Sequence, residues 1–321
     1  MSRFEVSPIS GLHFLWIEVT KKCNQACVHC YSNSDLGQPI DGQMTLNNWL
    51  KVIDDASGLG CKSIQFIGGE PTLYPHLITM IEFASEKNYD VIEVFTNATT
   101  LTSSLINAFA KHNVQVASSL YSCKAEVHDD ITKNVGGFEK TVDSLKRLLS
   151  AKIPLRIGVI EMEQNKGHWQ DTINYLNLLG IQRVRSDRSR NVGRRDLNQN
   201  RLQQQDTYID GSASFNLKEL CGQCWKGKLC VTTTGESFPC IFSRNVIVGN
   251  VLEQSLIEII NSTKLKNFRK VSKEYADKVL NNTSCQPDYS CGPEQDCSPN
   301  TYCGPYDQCG PYDRCSPCSP S

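Results

Sequence analysis

Short apolar segments and helical segments alternate along the first 190 residues, and this alternation limits the possible folds more than any other feature of the sequence. Six candidate strands lie at 12–20, 63–69, 91–97, 114–121, 155–162 and 183–187. Candidate helices lie between them at 46–60, 76–88, 103–113, 138–152 and 169–180. Strands connected through helices pair in parallel, so the pattern predicts an α/β fold with a parallel sheet. Because a closed barrel needs eight such units, six predict an open, partial (β/α)6 TIM-like barrel.

The charge balance and the apolar runs exclude several classes of protein. The net charge is −1, which provides no general basic field for nucleic acid or anionic lipid. The longest apolar run near the start, residues 12–19, is interrupted by His13 and Glu18 and is too short to span a membrane. It also lacks the basic flank and cleavage site of a signal peptide. We therefore expect a cytoplasmic protein that binds neither nucleic acid nor membranes.

Sixteen cysteines are unusual for a chain of 321 residues, and in a reducing compartment they indicate metal or redox chemistry. Cys23, Cys27 and Cys30 directly follow the first strand with the spacing C-x3-C-x2-C. Three thiolates can bind three irons of a 4Fe–4S cluster, which leaves the fourth iron open for catalysis. Zinc is less favoured, because no fourth ligand stands at zinc-like spacing and His29 lies between two of the cysteines. A purely structural knot of cysteines is the remaining alternative.

A second motif follows the second strand, where the sequence reads Gly68-Gly69-Glu70-Pro71. Two glycines allow another backbone or a ligand to approach closely, and a carboxylate with carbonyl groups suits a cation. Together with the C-x3-C-x2-C loop, this turn resembles the radical S-adenosylmethionine (SAM) enzymes. The resemblance implies that the three cysteines hold the SAM-binding cluster. It also implies that Gly68, Gly69 and Glu70 bind the methionine ammonium of SAM.

Weaker matches extend the resemblance along the barrel. Asn97 closes the third strand, where the family commonly has Thr-Asn-Gly, but Ala98 replaces the glycine. Ser119 ends the fourth strand, although the Asp-Gly that usually follows is absent. The resemblance implies that Asn97 and Ser119 contact SAM and that Arg156 on the fifth strand meets its carboxylate, with a surface arginine as the alternative. His128 is interpreted as a hydrogen-bonded loop histidine, with a ligand or base as the alternative.

A second group of cysteines lies within twenty residues of the C-terminal half: Cys221, Cys224, Cys230 and Cys240. A turn joins two short apolar runs there and predicts a β hairpin. The spacing Gly235-x4-Cys240, followed by Gly-Asn-Val at 249–251 and a helix, resembles the SPASM/twitch extension of radical SAM enzymes. The resemblance implies at least one auxiliary iron–sulfur cluster held by these four cysteines. A zinc knuckle is the alternative.

The chain ends in a ladder in which a cysteine recurs every six residues, at 285, 291, 297, 303, 309 and 315, each with a proline two residues later. Almost no aliphatic residues accompany it, so it cannot form an apolar core. Three hypotheses remain open. The ladder contributes ligands to auxiliary clusters, it is a tethered substrate of the enzyme, or it is a redox-buffering or metal-loading tail.

These observations predict a barrel at 1–195, a polar linker at 196–220, a SPASM/twitch-like domain at 221–283 and the Cys-x-Pro tail at 284–321. The resemblance implies a radical SAM oxidoreductase that cleaves SAM reductively and abstracts hydrogen from a peptide. A crosslink in a ribosomally synthesised peptide is the expected product. The expected partners are a precursor peptide or protein and an external electron donor of the flavodoxin or ferredoxin type. The alternatives are a dehydrogenase that matures a protein side chain, as sulfatase maturases do, and a non-catalytic iron–sulfur electron carrier.

Overall fold

A parallel sheet forms the centre of the molecule. The computed structural model describes residues 11–195, 207–209, 213–215, 217–220 and 223–282; Cys221 and the whole cysteine-proline tail lie outside the described residues. The first six strands are β1 (Phe14–Glu18), β2 (Ser63–Ile67), β3 (Val91–Phe95), β4 (Gln115–Ser119), β5 (Leu155–Glu161) and β6 (Val184–Arg188). Each pairs in parallel with the next. This arrangement confirms the predicted α/β class and partial-barrel architecture.

Helices connect the strands: α1 (Leu46–Gly58), α2 (Leu77–Glu86), α3 (Ser103–Lys111), α4 (Ala125–Thr132), α5 (Gly137–Ser150) and α6 (Trp169–Leu178). Helix α1 begins at a capping box in which the Thr45 side chain accepts from the Asn48 N–H, and it buries Trp49 and Ile53 in the core. Every residue of β1 and β2 is buried, as expected for strands covered on both faces. Helix α4 was not predicted, because its polar sequence resembles a loop.

The C-terminal half extends the same sheet. The predicted hairpin is present as β9 (Lys228–Val231) and β10 (Glu236–Phe238), which pair antiparallel, and β10 pairs with the short β11 (Gly249–Asn250). Strand β9 also pairs in parallel with β1, so the sheet has nine strands in the order β11-β10-β9-β1-β2-β3-β4-β5-β6. No local sequence pattern predicts this junction.

The remaining elements are short or lie outside the main sheet. In the segment predicted as a linker, β7 (Thr207–Ile209) and β8 (Ala213–Phe215) form a separate antiparallel pair. Helices α7 (Leu256–Asn261) and α8 (Thr263–Asn282) follow the hairpin and pack against each other. In the part of the chain that the structure describes, every helix is too short or too polar to cross a membrane. The domain boundaries at 195 and 221 remain predictions.

Candidate functional site

The three cysteines of the first group lie on the loop that follows β1, at the C-terminal edge of the sheet. Cys23 is buried, whereas Cys27 and Cys30 are half-buried. The backbone N–H of Gln25 donates to Cys23 Sγ at 3.4 Å and that of Ser34 donates to Cys30 Sγ at 3.3 Å. Such N–H donors stabilise the thiolate form that binds metal. The loop therefore presents three sulfurs prepared for iron.

Two other parts of the barrel hold this loop in place. The N–H groups of Ala26 and Val28 donate to carbonyls at the end of α4, each at 3.0 Å. Arg194 donates to the carbonyls of Cys27 at 2.5 Å and Ser34 at 2.7 Å. Arg194 lies six residues after the end of β6, so the segment that follows the last parallel strand fixes the loop that follows the first.

Burial and mutual repulsion oppose ionisation of these thiols. Burial, together with the charge of Glu70, raises the pKa of Cys23 to about 12. Burial and the charges of Cys30 and Cys23 raise the pKa of Cys27 well above its ordinary value, while Arg194 opposes this shift. A bound metal is therefore the natural counter-charge for three thiolates here. Each cysteine of an iron–sulfur cluster binds its own iron, so three separate sulfurs suit such a cluster.

The glycine turn after β2 lies against the start of the cysteine loop. Gly69 N–H donates to the Thr20 carbonyl at 2.7 Å, and Glu70 N–H donates to the Lys22 carbonyl at 2.9 Å. A Cβ on Gly69 would lie 2.3 Å from the Lys22 oxygen, and one on Gly68 would lie 2.5 Å from the Thr20 oxygen. Both glycines line the cavity next to the cysteines. Only glycine allows this approach, which sets the position of the backbone leading to the cysteines.

The Glu70 carboxylate accepts four hydrogen bonds from two neighbouring turns. Its Oε1 accepts from Thr72 N at 3.0 Å, Thr72 Oγ1 at 2.6 Å and Thr96 Oγ1 at 2.6 Å, and its Oε2 accepts from Asn97 N at 2.7 Å. The residue is fully buried and does not line the cavity. Burial raises its pKa, and these hydrogen bonds partly offset the shift. Glu70 thus positions the turn that carries Asn97, and its direct contact with SAM stays a prediction.

Arg156 forms a buried ion pair. It donates to Glu93 from Nη2 at 2.7 Å and from Nε at 3.2 Å, and both side chains are almost fully buried. It occupies the second position of β5, about 13 Å along the strand from Ile160, which lines the cavity. Arg156 is therefore not a surface arginine, since it is buried and paired with a carboxylate, whereas its contact with the SAM carboxylate stays a prediction.

Ser119 and Asn97 do lie at the cavity, as expected. Ser119 Oγ is buried and has no hydrogen-bond partner among the described residues. The Asn97 side chain donates to Asn24 at 2.7 Å and approaches Cys23 Sγ at 3.8 Å. A buried hydroxyl left unpaired is costly, so Ser119 suits a polar ligand that fills this space.

Three rings, those of His29, Tyr121 and His128, form a cluster on the cavity wall, and the sequence alone does not assign Tyr121 to the site. His29 contacts Tyr121 edge to face at 4.8 Å between ring centroids, and Tyr121 lies 5.5 Å from His128. Burial lowers the pKa of both histidines to about 4, so both are neutral at pH 7. His128 Nδ1 accepts from the Tyr121 N–H at 3.3 Å, which assigns the proton to Nε2. Sequence position was the available signal for two of these rings: Tyr121 follows the end of β4, and His29 lies between two cysteines.

The second cysteine group lies beside β1. Cys224, Cys230 and Cys240 are buried, and Cys230 stands opposite Trp16 of β1 and Phe238 of β10. Burial raises the pKa of Cys230; the charge of Arg244 opposes this shift and that of Cys240 adds to it. Cys230 and Cys240 are buried thiols that lie close enough to interact. Such a pair suits the ligand set of an iron–sulfur cluster. Cys221, the fourth expected ligand, lies outside the described residues.

Comparisons with known proteins agree with both cysteine groups. The model of the radical SAM superfamily matches residues 17–176, and that of the SPASM iron–sulfur cluster-binding domain matches residues 221–292. The antilisterial bacteriocin subtilosin biosynthesis protein AlbA of Bacillus subtilis is 25% identical over 266 residues, which cover 76% of this chain and 58% of AlbA. The mycofactocin maturase MftC of Mycobacterium tuberculosis is 25% identical over 300 residues, which cover 84% of this chain and 75% of MftC.

The fold resembles that of a solved protein. The crystal structure of Streptococcus suis SuiB superposes with a TM-score of 0.63 at 16% sequence identity, covering 81% of this chain and 68% of SuiB. This likeness concerns the fold. The chain spans little more than half the length of AlbA, so parts of that relative have no counterpart here.

Proposed function

Because the chain belongs to the radical SAM superfamily and carries a SPASM iron–sulfur domain, we propose that it is an enzyme that cleaves SAM reductively and abstracts hydrogen from a peptide substrate. The observation that carries the proposal is the cavity at the C-terminal edge of the sheet. It joins the three-cysteine loop to the glycine turn and to the unpaired Ser119 hydroxyl. The radical SAM domain implies a 4Fe–4S cluster and SAM, and the SPASM domain implies auxiliary iron–sulfur clusters.

The cysteine loop, the glycine turn and Ser119 each have a defined part in this proposal. Cys23, Cys27 and Cys30 would hold the SAM-binding cluster. The Gly68–Gly69 turn offers backbone groups to the methionine portion of SAM, and Ser119 Oγ offers a hydrogen bond. When bound, the cluster and SAM supply the reducing electron and the hydrogen-abstracting group. The protein's contribution is to orient them and to keep water away from the reacting atoms.

Apolar side chains around the site serve this exclusion of water. Phe95, Ile160 and Phe242 line the cavity, and Phe242 lies edge to face with Tyr31 at 5.9 Å between ring centroids. Cys224, Cys230 and Cys240, with Cys221, would hold the auxiliary cluster. A cluster held by these residues would contact the substrate or accept an electron as the product forms.

A ribosomally synthesised peptide is the substrate class that the relatives support. AlbA is named for subtilosin biosynthesis and MftC as a mycofactocin maturase, and SuiB has been crystallised with its precursor peptide SuiA. We infer that this chain acts on a comparable precursor and introduces a crosslink. An external flavodoxin- or ferredoxin-like donor would supply the electron, and the reducing cytoplasm would keep the thiols available for iron.

The test uses protein reconstituted with iron and sulfide without oxygen, then mixed with SAM and a reductant. We expect 5′-deoxyadenosine from the unaltered chain and none from Cys27→Ala. Cys61→Ala is the control, since Cys61 is a cysteine away from the cavity: it is buried in the hydrophobic core, where its thiol donates to the Ser63 carbonyl at 3.4 Å. Absence of 5′-deoxyadenosine from the unaltered, iron-loaded chain would contradict the proposal and favour an electron carrier.

The peptide product separates the proposed crosslink from the alternative dehydrogenase. Both reactions remove two hydrogen atoms from the substrate, so intact mass alone does not distinguish them. Fragmentation does, because a crosslink suppresses backbone fragments between the joined residues. Full fragmentation with the mass loss confined to one side chain would contradict the crosslink.

A further inference from the structure

A buried ion pair lies between the two cysteine groups. Arg244 Nη1 donates to Glu18 Oε2 at 2.6 Å. The Glu18 side chain is 1% exposed and that of Arg244 is 20% exposed. Arg244 Nε also donates to the Ile241 carbonyl at 2.8 Å. Two of the three guanidinium nitrogens are therefore fixed, and the group cannot turn away to solvent without losing both bonds.

The strand register brings this pair to the face of the sheet that carries Cys230. Trp16 of β1 stands opposite Cys230 of β9 in the parallel pair. Glu18 is two residues beyond Trp16, so its side chain leaves the sheet on the same face as Cys230. Arg244 follows β10 in sequence and reaches back over this face to Glu18. Its Cζ lies 5.6 Å from the ring centroid of Phe238, and Phe238 stands opposite Cys230 in the β9–β10 pair.

Two polar atoms of the pair have no partner. Arg244 Nη2 and Glu18 Oε1 are both buried, and neither makes a hydrogen bond within the described part of the chain. A buried charged nitrogen without an acceptor is costly, so Nη2 indicates that an acceptor is to be bound beside it. An iron–sulfur cluster bound through Cys230 would bring sulfur acceptors to this face of the sheet.

The two cysteine groups each have one arginine. Arg194 donates to the Cys27 carbonyl at 2.5 Å, and Arg244 packs on Phe238, the partner of Cys230 in the sheet. Arg244 also stacks on Tyr31, with its Cζ 5.1 Å from the ring centroid, and Tyr31 directly follows Cys30 in the chain. Arg244 therefore contacts the loop of the first group and lies over the sheet face that carries Cys230 of the second.

We propose that Arg244 donates a hydrogen bond from Nη2 to the auxiliary iron–sulfur cluster held by Cys230 and Cys240 and raises its reduction potential, with Glu18 as the opposing charge. A cation and an N–H donor next to a cluster stabilise its more negative, reduced state. Arg244 is thus a positioning and potential-setting residue for an electron acceptor, and it takes no part in cleaving SAM. The proposal rests on the proposed function only for the presence of the auxiliary cluster.

The test measures the auxiliary potential in a chain that cannot turn over. Cys23, Cys27 and Cys30 are all changed to Ala in the full-length chain, which leaves the auxiliary cluster as the source of the electron paramagnetic resonance signal during a redox titration. Arg244→Gln is expected to decrease the equilibrium constant for reduction about tenfold, which is a potential about 59 mV lower for a one-electron couple. Arg244→Lys keeps the charge and is expected to change the constant less than threefold, while Glu18→Gln is expected to raise it.

Arg147→Gln is the matched control, because Arg147 also donates to a carbonyl, that of Leu101 at 2.8 Å, yet it lies on α5 and does not line the cavity. Opposite shifts for Arg244→Gln and Glu18→Gln support the proposal, since a merely structural defect does not reverse sign. An unchanged potential in Arg244→Gln, or shifts of the same sign, would overturn it. If the triple-alanine chain does not fold, the titration is made on the native cysteine set, with SAM added to shift the spectrum of the other cluster.

These outcomes are independent of turnover. A shifted potential in a protein that forms no 5′-deoxyadenosine would refute the proposed function and leave the role of Arg244 intact. A protein that forms 5′-deoxyadenosine normally but shows no shift in Arg244→Gln would refute only the role of Arg244.

Discussion

A single methyl group at position 69 provides a sharp test of the cluster loop. In Gly69→Ala the new Cβ would lie 2.3 Å from the Lys22 oxygen, 2.6 Å from the Lys22 carbonyl carbon and 2.7 Å from the Lys21 oxygen. All three atoms belong to backbone, so no side chain can rotate to relieve the overlap. The segment that leads to Cys23 must move by about 1 Å, which is the difference from an ordinary contact between carbon and oxygen.

That movement breaks contacts that fix Cys23. The Glu70 N–H bond to Lys22 at 2.9 Å is lost, and the Cys23 N–H bond to the Asp35 carbonyl at 3.0 Å is strained. Overpacking of this kind costs about 1–3 kcal/mol of stability. Misplacing reacting groups by about 1 Å costs about 100-fold in rate. We therefore expect SAM cleavage to decrease about 100-fold, with a smaller loss in the free energy of unfolding.

Gly58→Ala is the control. Gly58 is the exposed last residue of α1, and nothing lies within 4 Å of its Cβ position. Alanine there is expected to raise stability by about 0.5–1 kcal/mol and to leave SAM cleavage unchanged. Iron content, SAM affinity by equilibrium dialysis and 5′-deoxyadenosine by chromatography are measured for both variants. If Gly69→Ala equals the unaltered chain in iron content, SAM affinity and 5′-deoxyadenosine, the inference that the turn closely approaches the cysteine loop is wrong.

Three further predictions concern Glu70, His128 and the cysteine-proline tail. Glu70→Ala removes the buried acceptor of the Asn97 N–H. The free energy of unfolding of the apoprotein, measured by urea titration, should therefore decrease by about 2 kcal/mol or more. An unchanged free energy of unfolding would favour a direct ligand role for the carboxylate. Burial holds the pKa of His128 at about 4, below its value of 6.5 when exposed; its contribution to stability is therefore complete above pH 6.5 and decreases as the pH falls toward 4. Between pH 7 and pH 5 the free energy of unfolding should decrease by about 2 kcal/mol less in His128→Gln than in the unaltered chain. An identical pH dependence in both proteins would refute the lowered pKa of His128. If the tail supplies cluster ligands, a chain that ends before Cys285 should bind less iron than the full chain, and the intact mass of the full chain should not change on turnover. If the tail is a tethered substrate, the full chain should instead lose two hydrogens per crosslink.

Local patterns in the sequence were sufficient for much of the barrel. Alternating short apolar strands and helices with a 3.6-residue period are encoded within each segment, so the six parallel strands were predictable. The two cysteine groups were also predictable, because their spacing is itself the chemical requirement. Helix α4 was not, since its sequence AEVHDDIT is polar and has no side-chain cap at its start.

Contacts between distant segments account for what the sequence did not reveal. Glu93 and Arg156 each stand within an apolar strand, and a buried charge in such a place requires a partner, but local periodicity does not say which. The position of Glu70 in the sequence suggested a ligand, whereas its four donors come from Thr72 and from the end of the next strand. The pairing of β9 with β1 depends on a register between the two halves of the chain, which no local signal specifies.

That pairing has a consequence for how the molecule can be divided. The hydrogen-bonding groups of β1 that face away from β2 are taken up by β9, so a fragment that ends at residue 195 would leave the strand carrying the cluster loop as a bare sheet edge. Such a fragment would be prone to associate with copies of itself, and the loop would lose its support on that side. The two halves should therefore be expressed together as one chain, because they share a sheet through the backbone of β1.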